Sequence, residues 1–507
     1  MISLTHLPED VLFEVASYLS ITDLLALRQT CRVLHAFGSS DYLWHRMTQR
    51  IGLPLDVPHS VPLNALSQDE LQRTAIKAIR LEANWSRSSP HLRRATHLVR
   101  DTNGLYVDEM QFLPGGKWFL AAQRHRQMEG RWSSHVDFWS LHNLENTHRV
   151  ASIEVDGLYR SSAIEVLGDG ELASLVIGSN HETEAIEVYS VPLQEYIDSP
   201  YYATPTPTPS RRIPVFNHPH LPHLHPIIHQ LALAHGVIAA SVVIPGGNCS
   251  LQVLLANAKT GFMRWVNPQL LEPFSILWVR LHDGHIILIG MIRLSLVLRI
   301  YKIPPVLRSG SHCTPHPGEP DAGEDPFIDL GPLVAEYEEP LRRDSEFHDI
   351  SRVSLPSSSS ISVVVFYSFH DASSGVGQVT RFSLPFASGS GSPSSPRPSS
   401  NPGPSQTETP VITSTTKYFT MPAHASAQLS QVGPMGRAVW LEHNWETQQK
   451  RIMRYQPRAG ATLGMLLPSD PALPFTPNIC HSLAFDETTG RVCLGLFNGD
   501  VYVLDFV

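Results

Sequence analysis

Five histidines crowd into one short stretch: His218, His220, His223, His225 and His229. Neutral imidazoles are good ligands for zinc or copper. No Asp, Glu or Cys accompanies them, and prolines interrupt them through FNHPHLPHLHP, which reads as an exposed loop. Gly168, Gly170 and Ala173 have the G-x-G-x-x-A spacing that holds a dinucleotide pyrophosphate. That turn must lead from a strand into a helix, and here it joins two β-type runs, so a hairpin is expected. Arg124, Arg126, Arg131, Arg342, Arg343, Arg451 and Arg454 are guanidinium groups able to pair with carboxylate or phosphate on a partner, although scattered arginines are usually solvated. Ser392, Ser395 and Thr409 each precede a proline and could accept phosphate, but their surroundings read as a biased linker. No H-E-x-x-H, P-loop or G-x-S-x-G occurs, and no acid–base pair or activated nucleophile stands out. The expectation is a protein that is not an enzyme and takes no cofactor or metal.

The chain that must position these groups has 507 residues, enough for more than one core. Its net charge of -9 gives no basic field for nucleic acid. Cys31, Cys249, Cys313, Cys480 and Cys493 are widely spaced and odd in number, which fits reduced thiols rather than a disulfide framework. The opening MISLTHLPED lacks a signal-peptide pattern, and Arg280, Asp283 and Arg293 interrupt the most apolar stretch, Ile276 to Tyr301. No membrane partner is expected, the sequons at Asn84 and Asn248 read as chance matches, and the expected location is cytoplasmic, nuclear or both.

The first 85 residues carry helical periodicity. Pro8, Glu9 and Asp10 open a helix whose apolar set is Val11, Leu12, Val15 and Leu19. Ser20 and Asp23 cap a second, with Leu24, Leu27, Cys31 and Leu34; a third follows Ser40, with Leu43, Trp44, Met47 and Ile51. So small a unit buries too little surface to stand alone and needs either a partner or the rest of the chain. A fourth helix, from about Gln68 to Asn84, has the capping box Ser67–Glu70 and the staple pair Leu66 and Leu71. It reads as a structural link that sets an angle between units.

The run LPEDVLFEVASYLSITDLLALRQTCRVLHAF…DYLWHRM resembles an F-box. The resemblance rests on Leu7-Pro8, Asp10 to Leu12, Tyr18-Leu19, Asp23-Leu24, Thr30 to Arg32, Leu34 and Leu43-Trp44, and covers about residues 4–50. It implies binding to the adaptor subunit of SCF-type ligases and, through it, to a cullin–RING core. The positions it implies to face the adaptor are Leu7, Pro8, Leu12, Val15, Leu19, Leu24, Leu43 and Trp44.

Beyond residue 95, short β-type runs replace helical ones. One alternating strand recurs seven times: HVDFWSL from His135, AIEVYSV from Ala185, SLQVLLA from Ser250, LVLRIYK from Leu296, QVTRFSL from Gln378, KRIMRYQ from Lys450 and DVYVLDF from Asp500. Spacings near 40–45 residues, or longer where proline clusters intervene, suggest four-stranded blades closed into a seven-bladed β-propeller. The region is similar to degenerate WD-repeat domains, lacking the Trp-Asp and Gly-His signatures; a pair of β-sandwiches is the alternative. The last unit is one strand short. The run Thr96 to Arg100 is expected to supply that strand by pairing with Val501 to Phe506.

The expected fold is therefore α+β and multidomain: an F-box over 1–52, a helical linker over 53–94, and an all-β propeller over 95–507 with insertions at 201–226, 304–326 and 387–410. The last insertion has almost no large apolar residue, so it is expected to be disordered and its deletion to leave the melting temperature nearly unchanged. The expected function is substrate recognition for an SCF-type cullin–RING ubiquitin ligase, with a target protein on the propeller. The alternatives are an F-box scaffold outside a ligase and, less favoured, an enzyme with a site in the propeller channel.

Overall fold

A computed structural model describes residues 4–57, 63–99, 107–126, 132–167, 170–193, 206–246, 250–267, 274–308, 325–353, 361–371, 374–384, 386, 411–457, 462–467 and 473–507. The insertion 387–410, with Ser392, Ser395 and Thr409, lies outside them, as do Arg131, Gly168, Cys249, Cys313 and most of 304–326.

Four short helices open the chain: α1 Glu9–Ala16, α2 Ile21–Arg28, α3 Arg32–Gly38 and α4 Asp41–Arg50. Pro8 is the N-cap of α1, and Ser20 with Asp23 forms a reciprocal capping box on α2. The second helix expected from sequence is two helices. Cys31 is extended at φ −158°, and Leu27 and Leu34, placed on one stripe by their spacing, belong to different segments. A fifth helix, α5 Gln68–Trp85, begins with the Ser67–Glu70 box.

Among the described residues the strands form seven antiparallel sheets, blades 1 to 7. Blade 1 is Val107–Phe112, Trp118–Arg126, Trp132–Ser140 and His148–Asp156. Blade 2 is Leu158–Leu167, Leu172–Asn180, Glu184–Pro192 and Arg211–Pro214. Blade 3 is Ile227–Ala234, Val237–Ile244, Ser250–Asn257 and Met263–Val266, extended in parallel by Phe327–Ile328. Blade 4 is Ile276–His282, His285–Ile292, Ser295–Lys302 and Leu333–Pro340. Blade 5 is Ser345–Ile350, Ile361–Asp371, Ser374–Leu384 and Thr413–Met421. Blade 6 is Ala425–Val432, Ala438–Asn444, Gln449–Gln456 and Thr462–Met465. Blade 7 is Cys480–Asp486, Arg491–Leu496, Val501–Asp505 and Arg94–Val99.

The seven recurring runs are thus the third strands of the seven blades. Arg211–Pro214, inside the proline-rich stretch 201–226, is not insertion but the fourth strand of blade 2, where Ile213 and Val215 bury against the neighbouring blade. The chain closes as the sequence suggests: Arg94–Val99 pairs antiparallel with Val501–Asp505, with Thr96 opposite Val503. Seven separate apolar cores fill the seven blade interfaces. The one between blades 7 and 1 joins Leu98, Val501 and Val503 to Val107, Met110 and Phe119. Each sheet is therefore covered on both faces and no interface is left open, which is what a ring supplies and an open stack does not.

Candidate functional site

The helical unit has its own packed interior. Leu12, Leu24, Leu43 and Trp44 are buried together with Leu71 and Ala75 of α5, and the Trp44 indole N–H donates to the Gly38 carbonyl at 2.9 Å. Four of the eight residues implied to face an adaptor thus lie inside this unit, because α5 already covers them. Leu7 and Leu19 are half-buried, and Pro8 and Val15 are exposed. The exposed apolar surface shares Val15 with that set and adds Val11 and Tyr18 of the first segment, Val33 of α3 and Tyr42 of α4. Tyr18 is 82% exposed. Spacing of four residues puts Val11 and Val15 on one side of α1, and Tyr18 follows in the turn just beyond its end. That signal was present in the sequence, but periodicity alone does not say which of two apolar sides faces inward.

Helix α5 is shared between the two parts of the molecule. Its first half completes the helical core, and its second half sends Leu81 and Trp85 into the core between blades 6 and 7. Trp85 stacks on Phe485 at 5.2 Å, and the Asn84 amide donates to the Phe506 carbonyl at 2.7 Å. Glu82 accepts from Arg437 and from the Gln456 amide at 2.6 Å. Glu487 in turn accepts from the backbone N–H groups of Met435 and Arg437 at 2.7 and 2.9 Å. A buried carboxylate–guanidinium network with its donors satisfied gives orientation more than net stability. These contacts, and Asp56 beside Gly115, place the helical unit over the hairpins joining first to second strands in blades 6, 7 and 1.

The opposite face is made by the hairpins joining second to third strands. There Trp132, Leu294, Trp445 and Phe497 are exposed. Arg124 and Arg126 lie over the Trp132 ring at 5.7 and 6.0 Å, and Arg342 lies over Phe369 at 4.3 Å. The candidate arginines do not form one cluster. Arg124 pairs with Asp108, Arg342 and Arg343 sit exposed between blades 4 and 5, Arg451 is exposed on blade 6, and Arg454 is buried.

First strands of neighbouring blades pack side by side around the axis in five pairs, and hydrogen bonds link the other two, from Tyr159 to Glu109 and from Arg280 to the Ile350 carbonyl. In six of these first strands the pairing slips by one residue, leaving Asp108, Arg160, His229, His348, Gln428 and His481 as bulges; blade 4 is regular. A bulge re-aims its side chain. Here several turn back onto their own blades: Asp108 to Arg124, Arg160 to Glu184, His229 to Ser241, His348 to Ser368 and Gln428 to His443. Sequence reading missed this pattern, since a bulge breaks alternation without leaving a residue signature.

Deeper in the ring, Arg352 donates across from blade 5 to the Phe112 carbonyl of blade 1 at 2.8 Å, and Arg280 donates to the carbonyls of Ile350 and Ser351. Tyr159 donates to Glu109 at 2.7 Å. Burial raises the Glu109 carboxyl to about 7 and the Asp349 carboxyl to about 6, and lowers the His348 imidazole to about 4. Glu109 has a folded value above its unfolded one. Its contribution to stability is therefore complete below about pH 4.5 and is lost as pH rises through 7. Glu109→Gln, which stays neutral, should match wild type near pH 4.5 and exceed it above pH 7 by about 2–3 kcal/mol. Urea melts of both proteins across this range measure it, and a constant difference would show that Glu109 does not titrate there.

Of the histidine stretch, His218 and His220 lie near each other against Phe327, and His229 lies on the first strand of blade 3. His218 is buried against Trp265 and Phe327, His220 stacks on Phe327, and His229 meets Ser241. Among the described residues no three His, Cys, Asp or Glu side chains are grouped to hold a metal ion. Gly170 lies in the turn between the first two strands of blade 2 at φ 96°, so that glycine serves a hairpin. Cys31, Cys480 and Cys493 are free thiols. No described helix is long and apolar enough to cross a membrane.

Residues 4–50 match the family of F-box-like domains. No curated protein matches the chain. A solved structure described as "Structure of Dos1 propeller" is similar over 82% of this chain and 96% of that one, at 9% identity and a TM-score of 0.41. The protein carries an F-box-like domain at its N-terminus, followed by a seven-bladed β-propeller.

Proposed function

We propose that this protein is the substrate-recognition subunit of an SCF-type cullin–RING ubiquitin ligase, and that it is not itself catalytic. The observation that carries the reading is the open apolar surface on an F-box-like unit that already has a buried core of its own. Val11, Val15, Tyr18, Val33 and Tyr42 remain exposed after α5 has closed the core. An uncovered apolar surface of this kind marks a protein contact. In this reading residues 1–52 bind the adaptor, 53–94 fix the angle, and 95–507 hold the target. Leu7, Pro8, Val15 and Leu19 touch the adaptor together with Val11 and Tyr18, whereas Leu12, Leu24, Leu43 and Trp44 shape the surface from beneath. The target docks on the second-to-third-strand face, which the helical unit leaves free and where Trp132, Trp445 and Phe497 are exposed together with Arg126 and Arg342. The site of action is the cytoplasm, the nucleus or both.

The test is co-purification of adaptor and cullin with the full chain carrying Val11→Asp, Val15→Asp and Tyr18→Ser together. Both partners should be lost while the melting temperature holds, since none of the three side chains is in the core. Retention of the adaptor by this variant would overturn the reading. Wild-type protein that captures adaptor without cullin would point instead to a scaffold outside the ligase.

A further inference from the structure

Between α5 and the strand that closes the ring, the chain crosses from helical unit to propeller through SRSSPHLRR, Ser86 to Arg94. The segment has three serines, three arginines and no acid, in a protein of net charge -9. Ser86 through Ser89 are exposed. Beside them, on the third strand of blade 6, Arg454 is 1% exposed.

A guanidinium has five N–H donors in a fixed fork. In Arg454 one of them, on Nη2, meets the carbonyl of Arg87, while Nε and Nη1 are buried with no acceptor. The other arginines of this junction are engaged differently: Arg437 with Glu82, Arg93 with the Val507 carbonyl, and Arg94 with Glu145. Directly opposite Arg454 in the sheet is Gly464. A Cβ built there would stand 3.8 Å from Arg454 Nη2 and 3.9 Å from the Ser88 carbonyl oxygen. The missing side chain thus leaves a narrow slot bordered by the guanidinium and by Ser88. A buried cation with unmet donors is costly unless an anion reaches it, and the first side chain after the carbonyl that Arg454 holds is the Ser88 hydroxyl.

We propose that Ser88 is a phosphorylation site and that Arg454 is the built-in acceptor of its phosphate. A protein kinase would supply the group from a nucleoside triphosphate. The Ser88 Oγ–P bond forms, the bond between γ-phosphorus and the bridging oxygen breaks, the hydroxyl proton passes to the kinase base, and nucleoside diphosphate leaves. The phosphoryl oxygens then accept from the free donors of Arg454 across the Gly464 slot, in the paired geometry that guanidinium and phosphate favour. The modification ties the crossing segment to blade 6 and stiffens the joint between F-box and propeller. Ser89 lies one residue further on, ahead of the buried Pro90, and is not adjacent to the carbonyl that Arg454 holds.

The full chain with phosphoserine incorporated at position 88, or at position 89 as the control, is titrated by phosphorus NMR. An unpaired phosphoserine has its second ionisation near pH 6. Phosphoserine at 88 should fall to about 5 or below, because the guanidinium favours the dianion, while phosphoserine at 89 stays near 6. In Arg454→Met the value at 88 should return towards 6. Amide exchange over residues 86–92 should slow for the 88 form alone. If both phosphoserines titrate alike near 6, the proposal is overturned, and because the control sits in the same wild-type chain this holds even if Arg454→Met fails to fold.

Discussion

Removing residues 500–507 should abolish the folded propeller rather than trim its edge. Val501–Asp505 lies in the sheet between Arg491–Leu496 and Arg94–Val99, so its loss strips the latter of its pairing partner. Val501 and Val503 belong to the core between blades 7 and 1, and Leu504 and Phe506 to that between blades 6 and 7. Full burial of such side chains contributes about 1.5–3 kcal/mol each, and four of them together approach the whole stability of an ordinary domain, about 5–15 kcal/mol. The truncation also removes the Phe506 carbonyl that Asn84 holds, which loosens α5. Circular dichroism and thermal melting of the truncated chain should show no cooperative transition. A sharp melt close to that of the full chain would mean that the ring is stable without closure.

The second large effect is expected from Trp44→Ala. Trp44 is fully buried among Leu12, Leu24, Leu43, Leu71 and Ala75. Truncation of a buried tryptophan typically costs about 3–5 kcal/mol, and the hydrogen bond to Gly38 goes with it. A small helical unit cannot absorb that loss, so adaptor capture should fail together with the stability of the F-box region. The exposed triple variant differs, since it should lose capture and keep its stability. Urea denaturation monitored in the helical region, beside the co-purification assay, separates the two. Loss of capture by Trp44→Ala without destabilisation would show that Trp44 is itself a contact.

Much of this architecture is set by local pattern. Ser20 and Ser67 with an acid three residues later form capping boxes in the structure, because the reciprocal bonds need only four consecutive residues. The seven third strands announce themselves by alternation, and the count of strands left the last blade lacking one that Thr96 and its neighbours supply. That arithmetic is topological: an unpaired edge must find a partner.

Other features were decided only by tertiary contact. Val11 and Leu12 are equally apolar neighbours, yet one faces out and the other in, because α5 arrives from a separate part of the chain to cover one side. Trp44 has the residue type of an interface anchor but is enclosed for the same reason. The break at Cys31, where the backbone is extended, interrupts a run whose periodicity would allow one helix. Arg211–Pro214 carries prolines nearby and looks like linker until Val188 and Ile186 offer it a strand edge. The bulges at Asp108 and its counterparts, and the unmet donors of Arg454, have no sequence mark at all. Periodicity encodes how a segment divides its own faces between apolar and polar. Which partner covers each face depends on segments outside the run itself, brought to it by the fold, and that only the folded chain determines.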